Sequence, residues 1–252
     1  MRRIDMKKQV VLTVSESKRL IAKAVAEMPE VKGAMREGMV VVGTGTTNAY
    51  VLEELWGRRF DKRRYRSGMT TPMQPEKLQQ PQEEPIPDVV FRNGKVVKEL
   101  DRFTAAPEMK RGDVYLKGAN ALDYNRKTAG VLIGSPIGGT VGAVLGHIVG
   151  KKINLIIPVG LEKLVYGDMG ELQMKASAED SDGPSLWPLK GTIVTEIEAL
   201  KILAGVDATL IAAGGVAGAE GAVRLILDGS DEKVDAAVKL VESIKGEPRY
   251  LL

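Results

Sequence analysis

The sequence has no cysteine and a single histidine. Disulfides, thiolate metal sites and cysteine nucleophiles are therefore excluded, and a reducing compartment fits. With one histidine and no carboxylates clustered at ligand spacing, neither a metal nor another cofactor is expected. Aromatic residues make up only 4% of the chain, too few for the interleaved rings of a base-stacking surface, so no nucleic-acid partner is expected. No apolar run approaches the roughly 18–20 residues of a membrane span. The run Val10-Val11-Leu12, after a basic N-terminal stretch, is too short for a signal-peptide core. A cytoplasmic protein without membrane contact is the expectation. The net charge of +3, from 36 basic and 33 acidic residues, is too small to call for a polyanionic partner.

What is present is an ordinary globular balance, 44% hydrophobic and 27% charged over 252 residues. Leu20, Ile21, Ala24, Val25 and Met28 recur at helical spacing and predict a helix over Ser15–Met28. Met39-Val40-Val41-Val42 is an unbroken apolar run, the pattern of a strand covered on both faces. A helix is predicted over Ala49–Trp56, and residues 58–66 carry six basic side chains. Residues 72–87, rich in Pro, Gln and Glu, predict an exposed irregular excursion. Strands are predicted at Val89–Phe91 and Lys95–Val97 around an Asn93-Gly94 turn, then at Val114–Leu116, Val131–Ile133 and Asn154–Val159, with a glycine-rich helix over 138–150. The fold class expected is α/β: an open, mostly parallel sheet with helices on both faces. A polar stretch at 177–184 with a Gly-Pro break sets the predicted boundary between an α/β ligand-binding domain, 1–185, and a small ferredoxin-like α+β domain, 186–252. Its predicted elements are strands at Thr192–Thr195, Ala208–Ala212 and Ala222–Leu227 and helices at Ile197–Leu203 and Glu232–Ile244.

The strongest local signal is Gly43-Thr44-Gly45-Thr46-Thr47-Asn48 between a buried strand and a helix. Glycines let backbone N–H groups approach an oxyanion, the helix adds the positive end of its dipole, and threonine hydroxyls add donors. The loop lacks the Gly-Lys-Ser/Thr ending of a P-loop and the spacing of a dinucleotide fingerprint. A plain strand-to-helix turn capped by threonine explains the same residues.

Residues 32–55 around this loop resemble the opening of ribose-5-phosphate isomerases and of the effector-binding domains of sugar-responsive bacterial repressors. Two further segments are similar in the same order: Asp113-Val114-Tyr115-Leu116-Lys117-Gly118-Ala119-Asn120-Ala121-Leu122-Asp123, and the strand beginning Ile153-Asn154 that leads to Glu162-Lys163. Together they resemble the superfamily of ribose-5-phosphate isomerase, glucosamine-6-phosphate deaminase and the coenzyme A transferases, over about the first two-thirds of the chain. The resemblance implies phosphate or another anionic group at the Gly-Thr loop, in a pocket at the carboxyl ends of the strands. It also has gaps. Lys117 stands where the isomerases have an acid, and Asn120 where they have Asp. The loop Gly134-Ser135-Pro136-Ile137-Gly138-Gly139-Thr140 leads into a helix without the carboxylate that would act as general base. No ribose-5-phosphate isomerase activity is assigned on this basis. No glutamate in residues 1–185 has the glycine-rich context of a coenzyme A transferase nucleophile. The stretch before Ser15 is too short for the repressors' helix-turn-helix, so direct DNA reading is not expected.

The expected ligand contacts are Gly43, Thr44, Gly45, Thr46, Thr47, Asn48, Gly118, Asn120, Ser135, Gly138, Gly139, Thr140 and Lys163. The expected catalytic candidates are Lys117 and Asp123, with Glu196 and Glu220 as replacements for the missing base. Lys117 and Asp123 have bland alternatives, a solvated lysine and a turn cap. His147, within an apolar helix, reads as a core or interface residue. Gly138-Gly139-Thr140 forms a second possible anion cradle, or else a close helix–sheet contact. The segment Ala212–Gly221 is either a lid that carries Glu220 or a subunit contact. The function expected is binding of a phosphorylated or otherwise anionic small metabolite, with sugar-phosphate isomerisation or a related proton transfer as the reaction. A non-catalytic ligand-binding or regulatory protein and a coenzyme A ester-dependent transferase are the alternatives. Assembly into a homo-oligomer is expected from the general prevalence of symmetric complexes.

Overall fold

The computed structural model describes residues 6–68, 70–71 and 83–250. It is a mixed α/β structure built on one mostly parallel six-stranded sheet and two three-stranded sheets. In the large sheet, β2 (Met39–Val42), β5 (Val114–Leu116), β8 (Asn154–Pro158) and β10 (Thr192–Val194) run parallel, in the order β10-β8-β5-β2. The hairpin of β3 (Val89–Arg92) and β4 (Lys95–Val96) extends the β2 edge in the antiparallel sense. All four residues of β2 and all three of β5 are buried, so both faces of the sheet are covered, as their unbroken apolar runs predict.

The other predicted strands sort differently. Val131–Ile133 is not in the parallel sheet: it belongs to β7 (Thr128–Ile133), which pairs antiparallel with β6 (Ala121–Asp123) and β9 (Ser185–Leu189). The strands of residues 186–252 are divided among the three sheets. Strand β10 joins the large sheet, while β11 (Asp207–Ala213) and β12 (Val223–Gly229) form an antiparallel sheet whose third member is the N-terminal β1 (Met6–Leu12). Period and hydropathy identify a strand but not its partner, and β1 and β12 meet across most of the chain. The predicted helix over 138–150 is broken into α5 (Gly139–Gly142) and α6 (Leu145–Lys151). Gly138 and Gly139 both have positive φ, and a Cβ at Gly142 would lie 2.3 Å from the Ile137 carbonyl oxygen, so the chain turns tightly here. The excursion predicted at 72–87 falls mostly outside the described residues.

The longest central helix, α1 (Val14–Glu27), packs between α3 (Thr46–Trp56) and α8 (Glu196–Ala204) and touches β8 and β10. Thr13 starts it with a capping box, its hydroxyl accepting from the Glu16 N–H while the Glu16 carboxylate accepts from the Thr13 N–H. Five consecutive residues, Ser15-Glu16-Ser17-Lys18-Arg19, are buried in its first turns, although all are polar. Arg19 is the centre of an ion cluster. Its guanidinium donates to Glu53, to Glu54 at 2.6 Å and to Glu247 at 3.0 Å, and it stacks 4.9 Å from the Tyr50 ring centroid. Lys62 and Arg59 add charge from the basic stretch, while Arg63 pairs with Asp61 and Arg64 with Glu83. Much of that stretch is therefore committed to internal ion pairs. Burial alone would raise the Glu53 carboxyl, but Arg19 and Lys62 more than offset this and hold it below the usual carboxylate range; Glu247 is held low by Arg19 in the same way.

Arg19→Met should cost about 3–5 kcal/mol, because it leaves buried carboxylates without their main counter-charge. Since the native carboxyls are held low, wild-type stability from this cluster is complete above about pH 4.5 and is lost as pH falls through the native values. Urea unfolding across pH 3–7 checks both points; a variant with wild-type stability would remove the cluster from the core's energetics.

Candidate functional site

The carboxyl ends of β2, β5, β8 and β10 share one edge, and hydrogen bonds carry the ladder past each strand end. The Gly43 N–H donates to the Leu116 carbonyl, the Lys117 N–H to Ile156, and the Val159 N–H to Val194. Above this edge lies a cavity of about 480 Å³. Its wall comes from the loop after β2, from Lys117-Gly118-Ala119-Asn120 after β5, and from Val159, Gly160 and Lys163 after β8. The first turns of α1 and α3 point into it, and the β11–β12 connection borders it through Gly218 and Glu220.

The backbone donors of the Gly-Thr loop are largely consumed within the fold. The Gly43 N–H is spent on Leu116, the Thr44 N–H on the Asp88 carboxylate at 2.7 Å, and the Gly45 N–H on the Tyr65 carbonyl at 3.2 Å. The three loop N–H groups expected to cradle an anion are thus already paired. The open donors are one step further on. Helix α3 starts at Thr46 behind Gly45, which has no side chain to cap it, and the first intrahelical bond is Ala49 N–H to Gly45 carbonyl. The N–H groups of Thr46 and Thr47 have no partner among the described residues, and both residues line the cavity. An uncapped eleven-residue helix also brings about half a positive charge to this point.

The loop is held by residues that no motif announces. Asp88, almost fully buried, takes the Thr44 N–H on one oxygen and binds the Arg102 guanidinium with both. The Tyr65 hydroxyl donates to the Val42 carbonyl and accepts from the Val89 N–H, tying β2 to β3 beneath the loop. Ser67 and Thr44 share a hydroxyl contact of 2.9 Å. Gly43 lies under the cavity rather than on it: a Cβ there would stand 3.1 Å from the Leu116 carbonyl oxygen. Asn48 is also structural, its amide donating to the Gly43 and Leu116 carbonyls at 2.7 and 3.0 Å.

The ionisable wall is lopsided. Glu16 and Glu247 line the cavity but are engaged, the first with Lys245 and the α1 cap, the second with Arg19; Glu220, at the rim, accepts from the Gly218 N–H and faces Arg249 at 3.8 Å. Lys18, Lys117 and Lys163 line the same space with no carboxylate in ion-pair range among the described residues. Lys18 is 7% exposed; burial lowers its pKa, Glu162 pulls it back up, and Lys163 adds to the lowering. Lys117 is pushed down to about 8 by burial, with Arg102 lowering it further and Asp88 opposing. A site with this excess of unpaired cations and open N–H groups attracts an anion.

Of the expected ligand contacts, Thr44, Gly45, Thr46, Thr47, Gly118, Asn120 and Lys163 come together on the cavity, with Lys117 and Glu220 from the catalytic candidates. Asn120 is fixed by donating to the Gly68 carbonyl at 2.8 Å and accepting from the Leu132 N–H. Asp123 lies elsewhere: it is buried in β6, accepting from the Arg126 N–H and guanidinium, the turn-cap alternative. Ser135, Gly138 and Gly139 are off the cavity, and α5 is a single turn, too short for a useful dipole; Thr140 faces a small apolar pocket behind Lys117. His147 is half-buried on α6. Lys18, Asp88, Tyr65 and Arg102 are the residues that sequence reasoning missed. The only available signal was the polar run Ser15–Arg19 at the head of an apolar-faced helix.

Glu196 is not on the cavity wall either. It is completely buried behind Leu161, accepting from the Leu161 N–H at 2.9 Å, with its second oxygen unpartnered. Burial, reinforced by the charge of Glu162, raises its pKa to about 7. A folded-state value above the unfolded one means that stability is fully present below about pH 4.5 and is lost as pH rises through 7. Glu196→Gln keeps the Leu161 bond and removes the charge. It should gain up to about 3 kcal/mol over wild type at pH 8 and almost nothing at pH 4, at 1.36 kcal/mol per pKa unit. Urea unfolding at the two pH values tests this; a pH-independent difference would count against a buried, titrating carboxyl. Among the described residues no helix is long and apolar enough to cross a membrane. No protein-family model, no curated protein and no solved structure matches the chain.

Proposed function

We propose that the cavity binds a small anionic metabolite, with a phosphate or carboxylate seated on the first turn of α3, and that the protein catalyses a proton transfer or isomerisation next to a carbonyl of that metabolite. The observation that carries this reading is the uncapped α3 N-terminus, whose Thr46 and Thr47 donors open onto a cavity lined by three lysines without carboxylate partners. A bound oxyanion would take the N–H groups and hydroxyls of both threonines, and Lys18 and Lys163 would balance its charge. The three segments that resemble the sugar-phosphate isomerase superfamily supply Gly45–Thr47, Lys117–Asn120 and Lys163 to this one cavity, which supports the reading. Non-catalytic binding is the second reading, favoured by the engagement of Glu16, Glu220 and Glu247 in other contacts.

Thr46→Pro tests the seat with little disturbance of the helix. Thr46 is the first helical residue, where proline's fixed φ fits and only the N–H and hydroxyl are lost. Combined with Thr47→Val, it should weaken binding of ribose 5-phosphate or inorganic phosphate by about 10–100-fold, at 1.4 kcal/mol per tenfold, for loss of charge-assisted bonds. Titration calorimetry reads the affinity, with ribose as the dephosphorylated control. Equal binding of ribose, or an affinity untouched by the double substitution, refutes the seat.

A further inference from the structure

We propose that Lys117 is a nucleophile that forms an imine with the aldehyde or ketone carbonyl of a small phosphate- or carboxylate-bearing substrate in the cavity. The proposal rests on the anion seat at α3 and adds the reacting group. Lys117 is the first residue beyond β5, the strand beside β2, so its amine stands at the cavity floor near the α3 N-terminus. Its stem fills the space between that cavity and the apolar pocket lined by Tyr115, Val141, Val144 and Leu155. The amine has one hydrogen bond, to the adjacent Gly118 carbonyl at 3.1 Å, and no carboxylate to hold its proton. Asp88, the acid whose charge supports the protonated amine, is bound on both oxygens by Arg102, which itself acts against a second cation. A desolvated lysine beside another cation is the arrangement that leaves an amine neutral and nucleophilic near pH 8.

Lys18, on the same wall, is lowered by burial as well, but Glu162 opposes this and no hydrogen bond ties its amine among the described residues, so it is placed to pair with the substrate anion. In the step itself the Lys117 nitrogen lone pair attacks the carbonyl carbon as the carbonyl π pair moves to oxygen. A proton passes from nitrogen to that oxygen, giving a carbinolamine. The C–O bond then breaks as C=N forms, and water departs with the carbonyl oxygen and both amine hydrogens. Once protonated, the imine draws electrons from the neighbouring C–H bond, which is the electron sink a proton transfer there requires.

The test uses the full chain with dihydroxyacetone phosphate and, separately, glyoxylate, each with sodium cyanoborohydride, followed by intact-mass and peptide mass spectrometry. One reduced adduct on the peptide containing Lys117, suppressed by inorganic phosphate and absent in Lys117→Arg, is the expected result. The pH profile of acetic anhydride labelling at Lys117 in wild type should rise with a midpoint near 8, a readout independent of any variant's folding. Adducts spread over surface lysines, or persisting undiminished in Lys117→Arg, overturn the proposal. So does a thermal shift with dihydroxyacetone phosphate unaccompanied by any adduct, which leaves the anion seat standing. Neither shift nor adduct removes both. An adduct at Lys117 that phosphate fails to suppress supports the nucleophile and removes the seat.

Discussion

The guanidinium of Arg19 lies in the interior with Glu53, Glu54 and Glu247 around it, and the arrangement of the cavity depends on that cluster. Ion pairs at this depth are costly to assemble and gain little over an apolar replacement, so their worth is in geometry more than in stability. Here the geometry is specific. Arg19 comes from the second turn of α1, Glu53 and Glu54 from the body of α3, and Glu247 from the segment after α9 (Asp231–Ser243). One charge network therefore fixes the two helices whose first turns meet at the cavity, and pins the C-terminal segment that supplies Glu247, Arg249 and Tyr250 to its wall. Removal of the cluster would let those helix ends drift relative to one another, and anion coordination is sensitive to shifts well below the length of a hydrogen bond.

The cavity itself is a consequence of which backbone donors remain after the fold is built. A strand-glycine-helix turn offers several N–H groups, but folding consumes the first three: Leu116, Asp88 and Tyr65 take them. What survives is the helix start, because Gly45 has no side chain to cap it. A serine or aspartate at that position would have stabilised α3 by only a few tenths of a kcal/mol and closed the site. The uncapped helix is thus a local cost to stability that leaves donors open toward a polar space, while Asp88 and Arg102 keep the turn in place.

Much of the central architecture was legible in the sequence. The run Met39–Val42, its glycine turn and the helix after it follow from elementary patterning, and so does the hairpin around Asn93-Gly94. The partnerships of the later strands were not legible. Val131–Ile133 and Asn154–Pro158 look alike as apolar runs, yet one pairs antiparallel with β9 and the other parallel with β5, a difference set by topology rather than composition. Strand β1 is an extreme case, since its partner β12 lies near the opposite end of the chain. At the site, the residues with a spacing signal were found and those acting through side-chain contact were not. Asp88 and Arg102 belong to no pattern, and Lys18 is separated from the Gly-Thr loop by more than twenty residues of unrelated helix and strand.

Burial drives Lys117 downward to about 8 and Glu196 upward to about 7, each toward neutrality. Their positions decide what each can do. Glu196 is sealed behind Leu161 with no wall of the cavity in common, so its proton has no path to a ligand except through packed side chains. Lys117 faces the cavity directly. The sequence lacks the carboxylate base of the sugar-phosphate isomerases it resembles, and the described residues of the cavity wall offer no carboxylate free of other contacts. On the proposed reading, an amine of lowered pKa on the floor of this cationic site contributes in a different way: its imine would lower the barrier to C–H removal by withdrawing electrons, while a base would still have to accept the proton. On the same reading, the positive surroundings that would bind the substrate's anion also lower the pKa of the amine that would attack it.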